Sequence, residues 1–510
     1  MTQNQNAAVY FVDRHAVGEL ADKSAFVEVA GEKRTLTYGE LGQESGKMAA
    51  LYQKHNIERE DRAALLVLDQ IEFPIIFWGS LKCGVVPVAL NTLLTSEVYD
   101  TILRDSRAKV LFVSKELLPV VEPVLENNPY LKSVIVVGEH SSNYSTFDDE
   151  LVDCEVRGTL DVKSDESAFW LYSSGSTGEP KGVRHVHGSL QFTSDTYGAK
   201  VLGIQENDVV YSAAKFFFAY GLGNAMTFPM SVGATTLIFN GRPTPDVVVN
   251  ILNEHQPTLF CGVPTLYAAI NAYVDAGNPI TGKPRRSISA GEALPEDVGK
   301  TFEKHTGSEV LDGVGSTEML HIFLSNQSGD VVYGTSGIAV PGYDLRLVDE
   351  AGEEVGTGEV GELLVNGDSS ASDYWNKRYK TRTTFEGEWT RTGDKYERRD
   401  DGRYVYCGRT DDMFKVSGIW VSPFEVEQAL ASHDSVLEAA VVPFEDEEQL
   451  LKPKAFIILN TGVDSSDLDE TLKEHVKDQI GLWKYPRWIE FVEELPKTAT
   501  GKIQRFKLRG

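Results

Sequence analysis

The chain has 510 residues, 41% of them hydrophobic, and a formal net charge of −27. That length supports more than one core, and the negative field excludes general binding to nucleic acid or an anionic lipid surface. Its longest nearly apolar run, residues 75–90, is interrupted by Lys82 and Pro87 and is shorter than the ~18 residues of a membrane helix. Taken in chain order, the amino-terminal stretch MTQNQNAAVYFVDRHAVGEL lacks the basic segment and apolar block of a signal peptide, so a cytoplasmic protein is expected. AALLVL, VVPVAL, KVLFVS, SVIVV, AFWLY, DVVYS, TTLIF and TLFCG then read as buried strands, with helices such as TPDVVVNILNEH between them. This is the α/β pattern.

From about Val331 to Tyr406 the texture changes to strand alternation punctuated by turns, as in RRDDGRYVYCG, and suggests a β-rich subdomain at 331–406. A boundary candidate falls at GRTDD, 408–412. Beyond it about 100 residues carry their own helices (SPFEVEQALASH, DLDETLKEHVKDQI) and strands (SVLEAAVVPF, KPKAFIILN). The expectation is therefore an N-terminal domain over 1–409 and a small α+β domain over 410–510.

The four cysteines, Cys83, Cys154, Cys261 and Cys407, lie far apart and form no metal-type pair, which fits a reducing compartment without zinc or disulfides. His185 and His187, the one close histidine pair among ten, have no cysteine or carboxylate nearby and read as structural.

Residues 172–182, YSSGSTGEPKG, place four serine or threonine hydroxyls, three glycines and one lysine at the end of an apolar run. Glycines let backbone N–H groups close around an oxyanion, hydroxyls add donors, and a lysine supplies charge. That chemistry suits phosphate, yet the stretch has neither the GK[ST] of a Walker loop nor a GxGxxG, and it fails the GxSxG nucleophile elbow. A flexible loop would have the same composition.

YSSGSTGEPKGV resembles the phosphate-binding signature of the adenylate-forming superfamily of acyl- and aryl-CoA ligases, luciferases and peptide-synthetase adenylation domains. GVGSTE (313–318), WTRTGD (389–394), GRTDDMFKVSG (408–418) and PKTATGKIQR (496–505) match the same superfamily in order. GSTEMLHIFLSN and AKFFFAYGLGN are most similar to aryl-CoA ligases of the benzoate type. The resemblance implies a large domain of α/β and β-rich subdomains with a small mobile C-terminal domain. It also implies two half-reactions: a carboxylate attacks the α-phosphorus of ATP to give an acyl adenylate and pyrophosphate, and the thiol of coenzyme A then displaces AMP. The carboxylate is itself the nucleophile, so no Ser-His-Asp triad is needed.

The same resemblance implies the residue roles. Ser173, Ser174, Gly175, Ser176, Thr177 and Gly178 would cradle the β- and γ-phosphates, with Lys181 anchoring the loop. Thr317 would hydrogen-bond the α-phosphate and Glu318 would hold Mg²⁺; an N-cap and first-turn acid of a helix starting near Met319 is the structural alternative. Gly291, Glu292 and Ala293 match the strip beside adenine, which Asp312, Gly313, Val314, Gly315 and Ser316 would complete. Val314 departs from the tyrosine many relatives stack on the base. Asp394 would accept hydrogen bonds from the ribose hydroxyls, assisted by Arg409.

Lys502 would bridge the α-phosphate and the substrate carboxylate during adenylation. Asp411 falls at the hinge, about which the C-terminal domain would turn to present Lys415, Ser417, Gly418 and Ile419 to the pantetheine arm. The run Phe216, Phe217, Phe218, with Ala219, Tyr220, Gly221, Ala290, Gly313, Gly315, His321 and Ile322, would line an aryl-acid pocket. Lys215 stands where proline is common, either attracting the carboxylate or sitting in solvent. Seven basic residues between Lys484 and Arg509, against three acids, either form ordinary surface or meet the phosphates of CoA.

The reaction so implied is ATP- and CoA-dependent activation of benzoate or a lightly substituted relative. The cofactors are ATP, Mg²⁺ and coenzyme A, and the partners are small molecules alone, with a monomer and a homodimer both compatible. An aryl-acid adenylating enzyme that loads a carrier protein, and a regulator that binds nucleotide without catalysis, are the alternatives. The chain ends soon after Lys502 with no carrier domain attached, and Thr317, Glu318, Asp394, Lys415 and Lys502 are all present, which favours the ligase.

Overall fold

The computed structural model describes residues 4–139, 143–174, 179–416, 419–447, 450–466, 468–481, 484–497 and 503–509. The chain divides into two units, Met1–Leu345 with Val365–Thr390, and Arg346–Leu364 with Arg391–Gly510.

Two mixed sheets build the first unit. All eight apolar runs expected as strands are strands within them. Among the described residues, one sheet has nine strands, with six parallel ones in the order Val310–Gly315, Arg286–Ser289, Leu259–Gly262, Val209–Ser212, Thr235–Ile238 and Ser24–Glu28. Antiparallel Ile322–Ser325 joins the first of these edges. The other sheet has eight strands, and its parallel part runs Ser167–Ser174, Val86–Ala89, Arg62–Leu66, Val110–Ser114, Ser133–Val137, Ser145–Thr146. Helices cover such sheets on both faces, so every residue of Val86–Ala89, Val110–Ser114 and Leu259–Gly262 is buried.

The long apolar run at 75–90 is split by this architecture. Its first part completes the helix Glu72–Cys83, which ends where Gly84 adopts a φ of 76°, and its second is the strand Val86–Ala89. No helix among the described residues is long and apolar enough to cross a membrane. The helix Pro245–His255 follows its sequence signals, with proline and Asp246 in its first turn and Val248, Val249, Ile251 and Leu252 buried. One hydrophobic core joins the two sheets: Phe26 and Ile238 of the first share it with Ala63, Leu65 and Phe112 of the second, around Phe73, Phe77 and Trp78.

In the second unit, Trp389–Arg398 pairs antiparallel with Tyr404–Arg409. Val436–Glu445 pairs with Leu451–Leu459, which Trp488–Phe491 joins in parallel. The helices Pro423–Ala431 and Leu468–Ile480 bury Val426, Leu430, Leu472 and Val476 against Val441 and Ile457 of that sheet. Ser422 caps the first helix by accepting the Glu425 N–H at 3.1 Å. Both helices and both long strands lie where the sequence patterns put them.

Candidate functional site

Ligands of open α/β sheets bind beyond the carboxyl ends of the parallel strands, and the expected site residues of the first unit cluster there. The strand Ser167–Ser174 leads into residues 175–178 and the chain returns as Pro180–Val186, with Ser173 opposite Lys181 and Ser174 opposite Pro180. The small-donor stretch is thus flanked by an antiparallel pair and not by a strand and a helix, which is why neither nucleotide template fits it. Gly175, Ser176, Thr177 and Gly178 lie outside the described residues, as does the side chain of Ser174. Ser173 Oγ is buried and has no hydrogen-bond partner among the described residues. The Lys181 ammonium lies 4.8 Å from the centre of the Tyr374 ring, close enough for a cation–π contact.

Tyr374 connects this lysine to the second motif. Its hydroxyl donates to Glu318 Oε1 at 2.7 Å, and the Ala371 N–H donates to the Glu318 carbonyl at 2.8 Å. His185 Nε2–H donates to the Thr317 carbonyl at 2.8 Å, and its ring stacks on Phe169 with centroids 5.1 Å apart. Burial pushes His185 down to about 4, so the imidazole is neutral at physiological pH and can hold this tautomer.

No helix starts near Met319. Ser316 Oγ does accept the Met319 N–H at 3.1 Å, as an N-cap would, but residues 317–319 form a turn. Leu320 takes a φ of 66° and the chain leaves as the strand Ile322–Ser325. Pairing with Val310–Gly315 overrides the local cap: a Cβ on Gly315 would stand 2.4 Å from the His321 carbonyl oxygen, so only glycine permits that approach.

Asp312 and the 290–293 segment sit side by side at the ends of neighbouring strands. Gly291 has a φ of 98°, and the Leu294 N–H points to Asp312 Oδ2 at 3.4 Å. Burial pushes the Asp312 carboxyl up to about 8, opposed first by that N–H and then by Ser289 and the Gly313 backbone. A neutral carboxyl at this place can donate as well as accept.

The residues expected to line an aryl pocket also converge. Tyr220 is in the short helix Ala219–Leu222, and its hydroxyl is within hydrogen-bond distance of the Gly262 and Ile288 carbonyls, at 3.0 and 3.1 Å, at the ends of two parallel strands. The His321 ring is 5.7 Å from that of Tyr220, 5.0 Å from Tyr197 and 4.5 Å from Phe228. A Cβ on Gly223 would stand 2.4 Å from His321 Cδ2, and one on Gly313 would stand 2.9 Å from Ile322 Cγ2. Burial holds His321 neutral, pushed down to about 3 against a weaker pull from the Tyr220 backbone. Ala290 and Ile322 are buried. Of the phenylalanine run, Phe216 and Phe217 belong to the core and only Phe218 is partly exposed.

In the second unit Asp394 and Arg409 face each other across paired strands. Arg409 Nη1 donates to Asp394 Oδ1 at 2.9 Å and to the Thr392 carbonyl at 3.1 Å, and the Asp394 N–H donates to Thr392 Oγ1 at 3.0 Å. The carboxylate raises the pKa of Arg409 above its usual value. Gly393 has a φ of 71°, and a Cβ there would meet Arg409 Nη2 at 2.8 Å. Lys415 lies in the strand Phe414–Val416, opposite Trp420, with Val416 opposite Ile419; the side chains of Lys415 and Ile419, and all of Ser417, Gly418 and Lys502, lie outside the described residues. Asp411 is exposed, and its carbonyl accepts from Arg509 Nη2 at 3.1 Å.

Much of the basic tail is neutralised within its own unit. Lys484 pairs with Glu425, Lys497 with Glu438, Arg505 with Glu427 and Asp412, and Arg509 with Asp412. Those four charges each have an acidic partner within the unit.

Two joined α/β sheets with a Thr–Glu turn at their strand ends, followed in sequence by a separate α+β unit, are the architecture of the adenylate-forming enzyme fold. The chain belongs to the AMP-binding enzyme family, whose sequence pattern matches residues 12–375, followed by the AMP-binding enzyme C-terminal domain at 425–502. It is 51% identical, over 99% of its length and 94% of the relative's, to a 4-hydroxybenzoate–CoA/benzoate–CoA ligase of Rhodopseudomonas palustris. A benzoate–CoA ligase of Thauera aromatica is likewise 51% identical, over 99% of this chain and 96% of that one. Among solved structures, a benzoate CoA ligase from Burkholderia xenovorans superposes with a TM-score of 0.89 at 46% identity, covering 99% of this chain and all of the other.

Proposed function

We propose that the protein activates benzoate, or a lightly substituted benzoate, with ATP and passes the acyl group to coenzyme A, releasing AMP and pyrophosphate in the cytoplasm. The observation that carries this reading is the 51% identity, sustained along 99% of the chain, to ligases named for benzoate and 4-hydroxybenzoate.

In the first half-reaction a carboxylate oxygen of the substrate attacks the α-phosphorus and pyrophosphate leaves. Ser173, Ser174, Gly175, Ser176, Thr177 and Gly178 would surround the β- and γ-phosphates. Thr317 would donate to the α-phosphate, and Lys502 would neutralise the charge that develops between it and the carboxylate. Mg²⁺ would be held by Glu318 with phosphate oxygens and would supply charge neutralisation on the triphosphate. Glu318 suits that role: one oxygen is fixed by the Tyr374 hydroxyl, and no described residue donates to the other. Asp312 and Gly291 to Ala293 would meet adenine, and Asp394 with Arg409 the ribose.

The ring would lie among Phe218, Ala219, Tyr220, Gly221, Ala290, Gly313, Gly315, His321 and Ile322, apolar except for the uncharged His321 imidazole and a Tyr220 hydroxyl already engaged by two carbonyls. In the second half-reaction residues 410–510 would turn about Asp411, withdrawing Lys502 and bringing Lys415, Ser417, Gly418 and Ile419 to the thiol's approach.

A panel of aromatic, heteroaromatic and aliphatic carboxylates, assayed for CoA-dependent AMP formation, tests the reading. Benzoate is expected among the best substrates. AMP release confined to aliphatic acids, or stimulated by a carrier protein and indifferent to CoA, would overturn it.

A further inference from the structure

Lys215 takes neither of the two places open to it in the sequence. Its ammonium donates to the Phe239 carbonyl and lies 3.9 Å from Asp69 Oδ2. Asp69 follows the strand Arg62–Leu66 of the other sheet and is 6% exposed. Its Oδ1 accepts the Phe216 N–H at 3.2 Å. One carboxylate therefore holds two consecutive residues, Lys215 by its side chain and Phe216 by its backbone.

Those residues are the root of the turn that carries Phe218 to Gly221. The Lys215 carbonyl accepts the Phe218 N–H at 3.1 Å. A Cβ on Gly221 would stand 2.0 Å from that same carbonyl oxygen and 2.6 Å from that of Ala214, so the helix Ala219–Leu222 rests directly on the Lys215 backbone. The Phe216 ring stacks on Phe73, centroids 4.9 Å apart. A shift of Lys215 is transmitted to Ala219 and Tyr220 through backbone contact, with no flexible side chain between.

We propose that Asp69 and Lys215 are positioning residues that together set the place of the Phe218–Gly221 wall, and so the affinity for the aromatic acid. The inference rests on the pocket reading above. A buried charge pair adds little net stability compared with apolar residues, while removing one partner leaves the other charge uncompensated. Consistent with a strained balance, burial pushes Asp69 up to about 6 and lowers Lys215 from its usual value, each opposed by the other's charge.

The test compares Asp69→Asn, Lys215→Met, their combination, and Lys215→Arg, measuring KM for benzoate, ATP and CoA in the full-length enzyme. Each charge-removing single variant is expected to raise KM for benzoate about tenfold with KM for ATP and CoA unchanged, and the combination to recover most of that loss. Lys215→Arg keeps the charge but moves its donors, and is expected to raise the benzoate KM about threefold; it carries the test if the single variants fail to fold. Ala219→Leu serves as the pocket control. If Ala219→Leu raises the benzoate KM while the Asp69 and Lys215 variants leave it alone, or raise all three KM values equally, the positioning inference is wrong. If Ala219→Leu has no effect on benzoate, the pocket reading itself fails.

Discussion

Lys502→Ala is expected to slow aryl-adenylate formation about a thousandfold, the upper range for removing one preorganised charge stabiliser. The nucleophile here is the substrate's own carboxylate, so the enzyme's main task is to neutralise the negative charge that accumulates as one anion approaches another. The Lys502 ammonium, placed between the two, would do this at the moment of attack. Pyrophosphate exchange with benzoate and ATP measures the step. The same variant, given benzoyl adenylate and CoA, is expected to form the thioester at close to the unmodified rate, because the lysine would have left the site before the thiol arrives. Lys415→Ala should show the reverse, sparing exchange and impairing thioester formation. Equal loss of both half-reactions in either variant contradicts the division of labour between the two lysines.

The second large effect is expected at Glu318. Glu318→Gln keeps the size of the side chain and its acceptor for the Tyr374 hydroxyl, a contact of 2.7 Å, but removes the charge a hard cation requires. Adenylation is expected to fall about a hundredfold and half-saturation by Mg²⁺ to move to higher concentration, with thermal stability little changed. Tyr374→Phe should shift Mg²⁺ half-saturation in the same direction and less, because the phenol only orients the carboxylate. A Glu318→Gln enzyme with full activity at ordinary Mg²⁺ would remove this residue from the metal site.

How much of this was legible in the sequence depended on where each determinant lay. Val110–Ser114 and Leu259–Gly262 are buried along their whole length, and burial on both faces leaves an unbroken apolar run that any reader can find. The helix Pro423–Ala431 announces itself by Ser422 and Glu425. The turn at Thr317 and Glu318 did not: Ser316 supplies a real cap to Met319, and a local reading extends it into a helix. What cancels that helix is a strand pairing that local propensity does not encode.

The supports of the site were the least legible part. Tyr374 reaches Glu318 across 56 positions, His185 reaches Thr317 across 132, and Asp69 reaches Phe216 across 147. Nothing in their immediate neighbours marks them. His185 read as structural, and it is, but what it holds is the carbonyl of the residue expected to touch the α-phosphate. The motifs themselves can be read because each one is contiguous in the chain.

The most direct test of the central claim follows the substrate's oxygen. With benzoate labelled by ¹⁸O at both carboxyl positions, attack on the α-phosphorus makes a C–O–P bridge, and thiol attack at carbon then leaves the bridging oxygen on AMP. One ¹⁸O in AMP, one in benzoyl-CoA and none in pyrophosphate is the result the account predicts. Unlabelled AMP, or label in inorganic phosphate with release of ADP, would contradict it.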